Sequence, residues 1–415
     1  MFSPIKTFLA VAATVAIPAG VLAQVPGVVE QPTGFRMGAG RLTTSFELES
    51  RYDSMAGYVA DDTVDGGLRE AGDMILLLKP GLHFKVPSDS LEIALKANYE
   101  YQGYMGAEES TLTEQSKSAM NLAGGLLFNR DGNVRAELTD TFVRSDRTSN
   151  LALGAASISN RNDAALRVSV LEKGAWSVTP SYTLTTENFE SLSGLSAHDS
   201  VVEQYDYLAH NGGLDVRYGV FGESALLLDV GVGHRTYTAD KPVGEDVGHA
   251  RAMIGLGGKV SPKLGYTLKA GYGTQFGLEE ADGFGSAVGS AELAWFATEL
   301  SEVRLGYARG FEADPTFAFY GNNRVYANAG AQMTQALKVR GGVSYDMISF
   351  GADGSREDTL VGFNVSPEYA FNRWFSAGVH YGFTTRDSEG NDETVVPAYL
   401  AFDRHEFGAR AMVVY

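Results

Sequence analysis

Apolar and polar residues alternate with a period of two along most of this chain, and this alternation restricts its fold more than any other feature. In LEIALKANYEYQ at 91–102, every odd-numbered residue is apolar or aromatic, and most even-numbered residues are charged or carry an amide. GYTLKAGYGTQF at 265–276 and WFSAGVHYGF at 374–383 repeat the pattern. Period two is the period of a β-strand with one apolar and one polar face. Helical spacing is not sustained anywhere, so the sequence predicts an all-β protein.

The connections between these strands alternate between two kinds. Short ones carry turn residues, as in NRDGN at 129–133 and SPKL at 261–264, whereas long ones are polar and often acidic, as in DDTVDGGLREAGD, GADGSRED and RDSEGNDET. Alternating short turns and long loops are typical of an antiparallel up-and-down transmembrane β-barrel. The pattern predicts about eighteen strands, an even number as such barrels require. They lie near 41–52, 73–86, 91–104, 118–129, 134–145, 163–171, 176–188, 206–219, 224–238, 249–260, 265–277, 286–297, 302–312, 323–334, 337–349, 358–370, 374–386 and 402–415.

A soluble all-β fold such as a propeller or a β-helix is the alternative. A propeller would show a blade repeat of roughly 40 residues, and the sequence contains none. A closed barrel in lipid has no open edge and needs no second layer to cover its apolar face.

The N-terminal segment predicts export from the cytoplasm. MFSPIKTFLAVAATVAIPAGVLAQ has one cation, Lys6, then an apolar run, and Val21 and Ala23 are small residues before Gln24. This pattern predicts a signal peptide at 1–23, with a membrane anchor as the alternative. We expect a short periplasmic segment at 24–40 and an outer-membrane barrel of a Gram-negative bacterium at 41–415.

Composition excludes several classes of function. The formal net charge is −18, which argues against a nucleic-acid partner held through phosphates. The chain has no Cys, so thiolate metal sites, disulfides and Cys nucleophiles are excluded. His198, Asp199 and Ser200 are adjacent but cannot form a catalytic triad by adjacency alone. Neither metal-ligand spacing nor a phosphate loop is present, so we expect a non-enzyme without cofactors.

Three stretches resemble the family of outer-membrane proteins called beta-barrel porin 2. They are the opening strand GRLTTSFELESRYDSM with Tyr52, Asp53 and Ser54, the strand AELTDTFVRSDR at 136–147, and the closing pair YAFNRWFSAGVHYGFTTRDSEG and FDRHEFGARAMVVY. The resemblance implies an outer-membrane barrel associated with export of exopolysaccharide or capsule. It would add a polysaccharide substrate and periplasmic export components as partners, and it supplies no catalytic residues.

Charged residues on the polar parity predict the lining of the barrel lumen. Charges of both signs, with a basic excess, would line a hydrated pore or pair across strands to stiffen the wall. The predicted lining residues are Glu47, Arg51, Lys79, Lys85, Glu92, Lys96, Glu100, Arg135, Glu137, Arg167, Arg217, Arg235, Lys269, Arg304, Lys338 and Arg340.

The apolar parity predicts the lipid-facing surface. Trp176, Trp295 and Trp374 lie next to short turns, as aromatic girdles at a membrane interface do. Two charged residues, Asp140 and Arg309, also fall on this parity. Charge is costly there at mid-membrane, so we expect either an interfacial position or a shift in register.

The chain ends in RHEFGARAMVVY, in which Phe407, Val413 and Tyr415 lie on the lipid-facing parity. We expect this run to close the barrel by pairing with the first strand near 42–52. A terminal aromatic also resembles the insertion signal read by the barrel assembly machinery, in which Phe is the usual residue.

Three functions remain open at this point. The first is a channel for polysaccharide export, the second is a general or selective diffusion porin for small solutes, and the third is a plugged structural or anchoring barrel. Further partners would be membrane lipid and lipopolysaccharide, which the acidic loops would contact directly or through divalent cations.

Overall fold

The computed structural model describes residues 34–60, 68–105, 118–145, 157–170, 175–191, 203–239, 246–277, 284–314, 318–351, 356–390 and 401–415. The predicted signal peptide at 1–23 lies outside the described residues, as do most of the long loops. Within the described ranges, no helix is long and apolar enough to cross a membrane.

The described chain forms a closed antiparallel barrel of eighteen strands, β2 to β19, preceded by a short strand, β1. Each strand pairs with the next one along the chain, and β19 pairs with β2 to close the ring. The strands are β1 (Phe35–Met37), β2 (Gly40–Ala60), β3 (Leu68–Val86), β4 (Leu91–Tyr104), β5 (Ser118–Phe128), β6 (Val134–Ser145), β7 (Ser157–Val170), β8 (Trp176–Ser191), β9 (Tyr207–Phe221), β10 (Ser224–Tyr237), β11 (Val247–Ser261), β12 (Leu264–Phe276), β13 (Gly285–Thr298), β14 (Ser301–Asp314), β15 (Ala318–Gln332), β16 (Leu337–Phe350), β17 (Arg356–Ala370), β18 (Phe375–Gly390) and β19 (Phe402–Val414). The prediction of an all-β up-and-down barrel is therefore confirmed.

One end of the barrel carries the short turns, and we call it the short-turn end. The turn between β9 and β10 has only two residues, and Gly222 supplies the positive φ, 54°, that such a tight hairpin requires. In the turn between β5 and β6, Asn129 has φ 52° and donates from its amide to the Val134 carbonyl at 2.6 Å. We call the opposite end, where the other connections lie, the long-loop end.

Several strands continue further toward the long-loop end than the alternation predicts. Residues 68–72, 356–357 and 387–390 were expected in acidic loops, yet they belong to β3, β17 and β18. The ladder continues because each residue still finds a backbone partner, for example Arg356 opposite Gly390. The inward-facing charges Arg356, Asp358 and Arg386 of β17 and β18 are paired with one another, as described below.

The closing seam lies where the terminal strand was expected to pair. Val414 faces Ser45 and Glu406 faces Asp53, and Thr44 and Tyr415 exchange two backbone hydrogen bonds of 2.8 Å. Within the segment at 24–40, which was expected to be a short periplasmic segment, residues 35–37 form β1, which turns back through Gly38 and pairs with the start of β2. Phe35 of β1 then contacts Tyr415, with ring centroids 4.7 Å apart. β1 thus covers the stretch of β2 that β19 does not reach.

Candidate functional site: the charged lumen

The pleat of each strand separates an apolar outward face from a polar inward one. In β10, Leu226 is 41% exposed and points outward, whereas Ala225 beside it is fully buried. The same alternation places large hydrophobic side chains on the outward face throughout, including Trp176, Trp295 and Phe407. An exposed apolar surface of this extent is what a lipid bilayer covers in a transmembrane barrel.

All sixteen predicted lumen residues lie on the inward parity of their strands, and about half of them contact neighbours on adjacent strands. Lys79 has the most partners, since its Nζ lies 2.6 Å from Glu49 Oε2, 3.2 Å from Glu47 Oε1 and 3.3 Å from Glu100 Oε2. His380 Nε2 approaches the other oxygen of Glu49 at 3.5 Å. A single ammonium therefore holds three carboxylates together on the wall formed by β2, β3 and β4.

Further ion pairs join inward-facing residues of nearby strands around the ring. Lys269 lies 3.1 Å from Asp229, and Arg304 lies 3.1 Å from Glu292, whose second oxygen accepts a hydrogen bond from Tyr326. The remaining pairs join Lys85 and Arg130 to Glu92, Arg51 to Glu406, Arg251 to Asp229 and Arg410 to Glu368. Such pairs stiffen the wall, as expected for opposite charges facing each other across strands.

Besides Glu137, five basic residues of the predicted set take part in no described ion pair. They share a position within the six strand residues nearest a short turn, and their side chains are partly or largely exposed. We call them the short-turn basic set: Lys96, Arg167, Arg217, Lys338 and Arg340. Their charged groups face inward and take part in no described ion pair, although Glu137 lies opposite Arg167 and Glu368 opposite Lys338 in the strand register.

At the long-loop end, charged side chains are instead buried and tightly paired. Asp358 is 0% exposed and lies between two arginines, with Arg356 Nη2 at 2.6 Å and Arg386 bound to the same carboxylate. The two arginine side chains are only 5% and 6% exposed, and Arg356 stacks over the Phe350 ring at 4.2 Å. We call these three charged residues the Asp358 cluster.

A second buried cluster at the same end includes strands on opposite sides of the lumen. On one wall, Arg161 approaches Glu187 at 3.6 Å, Tyr207 donates to Glu187 at 2.6 Å, and Arg235 lies over the Tyr207 ring at 4.2 Å.

On the other wall, Tyr320 donates to Glu312 at 2.6 Å, and the Glu312 carboxylate interacts electrostatically with Arg235 and Arg161. We call this group of Arg161, Glu187, Tyr207, Arg235, Glu312 and Tyr320 the cross-lumen cluster. Glu312 is on β14 while Arg161 is on β7, seven strands away in a ring of eighteen. Neighbouring strands are about 4.8 Å apart along the wall, so these groups interact across the interior. The cross-lumen cluster therefore connects strands that are far apart along the ring.

Sequence reasoning identified Arg235 in the cross-lumen cluster but none of its five partners. Glu312 and Tyr320 lie close to a predicted loop, and Arg161 lies just before the predicted start of its strand. The inward parity of Glu187 and Tyr207 was readable from the alternation, but their contact with Arg235 depends on how the strands are staggered.

The two charged residues on the outward parity are explained by the contacts that they make, not by a shift in register. Asp140 is exposed on β6 and accepts a hydrogen bond from Asn162 at 2.9 Å. Arg309 is exposed on β14 and donates to Asn323, Ser286 and the Ala287 carbonyl. Both sites are therefore outward-facing polar positions on an otherwise apolar surface.

The histidines of the described residues are dispersed over the barrel. His210 contacts the Tyr182 hydroxyl at 2.6 Å on the outward face, and His405 contacts the Tyr381 hydroxyl at 3.0 Å. His198 lies outside the described residues. Among the residues that are described, no group of three or more His, Asp or Glu could hold a metal ion.

The fold and the lumen together define a large β-barrel of the transmembrane type with a charged interior. No family model matches the sequence, and no curated protein matches it. Among solved structures, the FrpB iron transporter of Neisseria meningitidis (F5-1 variant) is similar with a TM-score of 0.53 and 9% identity, covering 89% of this chain and 66% of that one.

Two further similar structures have lower TM-scores. OccAB3 of Acinetobacter baumannii has a TM-score of 0.47 and 8% identity, covering 91% of this chain and 100% of that one. OccK2 of Pseudomonas aeruginosa has a TM-score of 0.45 and 12% identity, covering 92% of this chain and 99% of that one. The chain spans about two thirds of the iron transporter, and the likeness concerns the barrel fold.

Proposed function

We propose that the protein is an outer-membrane channel that conducts small hydrophilic solutes and favours anions. An eighteen-stranded barrel is wide enough to enclose an aqueous channel when no segment fills it. The outward apolar face and the inward charged face match the two solvents that such a channel separates. The protein would reach this membrane through the barrel assembly machinery.

The observation that carries the proposal is the short-turn basic set. Lys96, Arg167, Arg217, Lys338 and Arg340 place five positive charges on the inward face, none of them within a described ion pair, and only Arg167 and Lys338 have a carboxylate opposite them in the register. A charge ring in a pore of low dielectric raises the local concentration of the opposite ion. Anions, including acidic sugars, would therefore be drawn into this half of the lumen.

Export of a polysaccharide is the second candidate, as the family resemblance implies. The observation that bears on it is the set of aromatic side chains at the long-loop end of the interior, among them Phe189, Tyr207, Tyr320 and Phe350, which are buried and would meet a sugar chain only if this end opened. Aromatic faces offer apolar contact to ring-shaped groups. The cross-lumen cluster opposes passage of a chain, however, so export would require Glu312 and Arg235 to separate.

The test is the reversal potential of the refolded barrel in a planar bilayer under a salt gradient. We expect anion selectivity, and we expect Arg217→Gln combined with Lys338→Gln to reduce it. Thr43→Val is the matched control, because Thr43 also lies on the inward parity and carries no charge. Cation selectivity, or no conductance in both the wild type and Glu312→Ala, would contradict the proposal and leave a plugged structural barrel as the better reading.

Export is tested separately by deleting the gene and measuring surface polysaccharide. Loss of polysaccharide would support the second candidate, and unchanged polysaccharide would eliminate it.

A further inference from the structure

A groove on the outward face of the barrel crosses β10 to β14. It has a volume of about 540 Å³ and is lined almost wholly by apolar groups. Small residues form its floor, among them Ala270 and Gly289, while Leu226 and Ile254 rise on one side. Gly289 has no room for a side chain, since a Cβ there would lie 2.7 Å from the Lys269 carbonyl oxygen. The depression is therefore built into the wall.

The groove follows rows of residues that face one another across the strands. Leu226 faces Leu256 and, one row further, Ala270 faces Gly289, which faces Arg309. Four inter-strand steps from β10 to β14 amount to about 19 Å at ~4.8 Å each. Leu226 lies near the short-turn end of β10, and the opposite side of the groove ends at Arg309.

Arg309 places a positive charge at that end of the groove. Its Nε donates to the Ala287 carbonyl at 3.0 Å, its Nη1 to Asn323 Oδ1 at 3.2 Å and its Nη2 to Ser286 Oγ at 3.2 Å. Ser286 is the second residue of β13, so the guanidinium is directed toward the long-loop end. All of these acceptors are neutral, and among the described residues no carboxylate lies within salt-bridge distance.

The other outward arginine with described contacts differs in this respect. Arg144 on β6 lies 2.9 Å from Glu190 with both of its terminal nitrogens, and Asn160 joins the same pair. Its charge is thus neutralised within the protein, whereas that of Arg309 is not. An uncompensated arginine on a lipid-facing surface is costly, and the cost rises with its depth in the bilayer. An anionic group from outside the chain would remove that cost.

We propose that this groove binds a phosphorylated acyl lipid of the surrounding leaflet. The phosphate would pair with Arg309 at the long-loop end, because two of the guanidinium N–H groups are not used by Asn323 or Ser286. An acyl chain would lie along Ala270 and Gly289, where the small floor residues leave space. The site stands independently of what passes through the lumen.

The test is lipid binding to the purified full-length barrel, measured by native mass spectrometry from detergent micelles. Lipid A, a phosphorylated acyl lipid, is the probe, and phosphatidylcholine is the zwitterionic comparison. Arg309→Gln should weaken lipid A binding by about fivefold or more, the effect of one basic side chain near an anionic lipid, and should leave phosphatidylcholine binding unchanged. Arg144→Gln is the matched control and should bind lipid A like the wild type.

A second variant keeps the test decisive if Arg309→Gln inserts poorly. Ala270→Phe fills the groove with an apolar ring, keeps the charge of Arg309 and should also weaken lipid A binding. Equal lipid A binding by the wild type, Arg309→Gln and Ala270→Phe would overturn the proposal. A change in oligomeric state in these variants without loss of lipid would overturn it too, by showing that the groove packs against a protein.

Discussion

Charged side chains are held differently at the two ends of the lumen. At the long-loop end, Asp358 is fully buried between Arg356 and Arg386. At the short-turn end, Lys338 and Arg340 also face inward but remain partly exposed and have no described ion partner. Inward-facing charges thus form a buried ion-pair cluster around Asp358 at one end. At the other end, Lys338 and Arg340 remain in contact with solvent.

The difference follows from solvation. Withdrawing a charge from water is costly unless a partner and hydrogen bonds replace the hydration shell, and the Asp358 cluster supplies both. The short-turn basic set keeps its hydration and needs no such partner. Substitutions should consequently change stability at the long-loop end and ion selectivity at the short-turn end.

The largest expected effect is on stability, from Asp358→Ala. Removing this carboxylate leaves two buried arginines facing each other, and the loss of one partner from a buried ion pair costs about 3–5 kcal/mol. Urea unfolding of the barrel in lipid vesicles, followed by tryptophan fluorescence, would measure it. Glu137→Ala is the control, because Glu137 is an inward carboxylate near a short turn without a described partner. It should change the unfolding free energy by about 0.5 kcal/mol or less. Equal losses in both variants would erase the distinction between the two ends.

The second expected effect is on conductance, from Glu312→Ala. Glu312 links Tyr320 to Arg235 and Arg161 across the lumen, so its loss should widen the passage and raise single-channel conductance. Buried donors left without an acceptor should also cost about 1–3 kcal/mol of stability. Glu292→Ala is closely matched, since Glu292 likewise accepts a hydrogen bond from a tyrosine but pairs along one wall with Arg304. It should leave conductance unchanged. A rise in both variants would mean that the cross-lumen contacts do not narrow the channel.

The contrast between the two ends also separates what the sequence can predict from what it cannot. Period-two alternation alone predicted the eighteen strands. It also predicted that Lys79 and Lys338 face inward and that Arg309 faces outward. It was insufficient at the long-loop end, where GADGSRED reads as an acidic loop that reaches the predicted strand only at Asp358, so that Arg356 is placed in the loop. At this end the strands continue beyond the last residues that show the apolar alternation. They can do so because the charged side chains pair with each other inside the lumen and do not require hydration.

Long-range contacts were the other gap. Lys79 and its carboxylates lie on adjacent strands, so counting by twos brings them together. Glu312 and Arg235 are four strands apart and meet only because the sheet closes and its strands are staggered. Closure and stagger belong to the whole ring, and no local pattern encodes which side chains they bring face to face.

The third expected effect is an ionic-strength dependence that differs between the ends. The Debye length falls from about 10 Å at 0.1 M salt to about 3 Å at 1 M. Anion selectivity from the exposed short-turn basic set should decline over this range, as reversal potentials would show. The stability difference between the wild type and Asp358→Ala should stay nearly constant, because buried pairs are screened much less. If the anion selectivity and the stability difference both declined with salt, the Asp358 cluster would have to be exposed to solvent.

The smallest expected effect is that of Tyr415 at the seam, which has one end in each environment. At the long-loop side, Arg404 binds the buried carboxylate of Asp53 with Nε at 3.0 Å. At the short-turn side, Tyr415 contacts Phe35 and Trp374, with ring centroids 4.7 and 4.9 Å apart, but remains 40% exposed.

Tyr415→Ala should therefore cost only about 0.5–1.5 kcal/mol from lost aromatic pairing, while Arg404→Ala should cost more, because it leaves Asp53 buried and unpaired. Urea unfolding of both variants would rank them. If Tyr415→Ala also slows insertion into vesicles while leaving reversal potentials intact, the terminal aromatic acts in assembly, as its position in the sequence predicts. If instead Tyr415→Ala proves the more destabilising change, the aromatic contact with β1, and not the buried ion pair, holds the barrel closed.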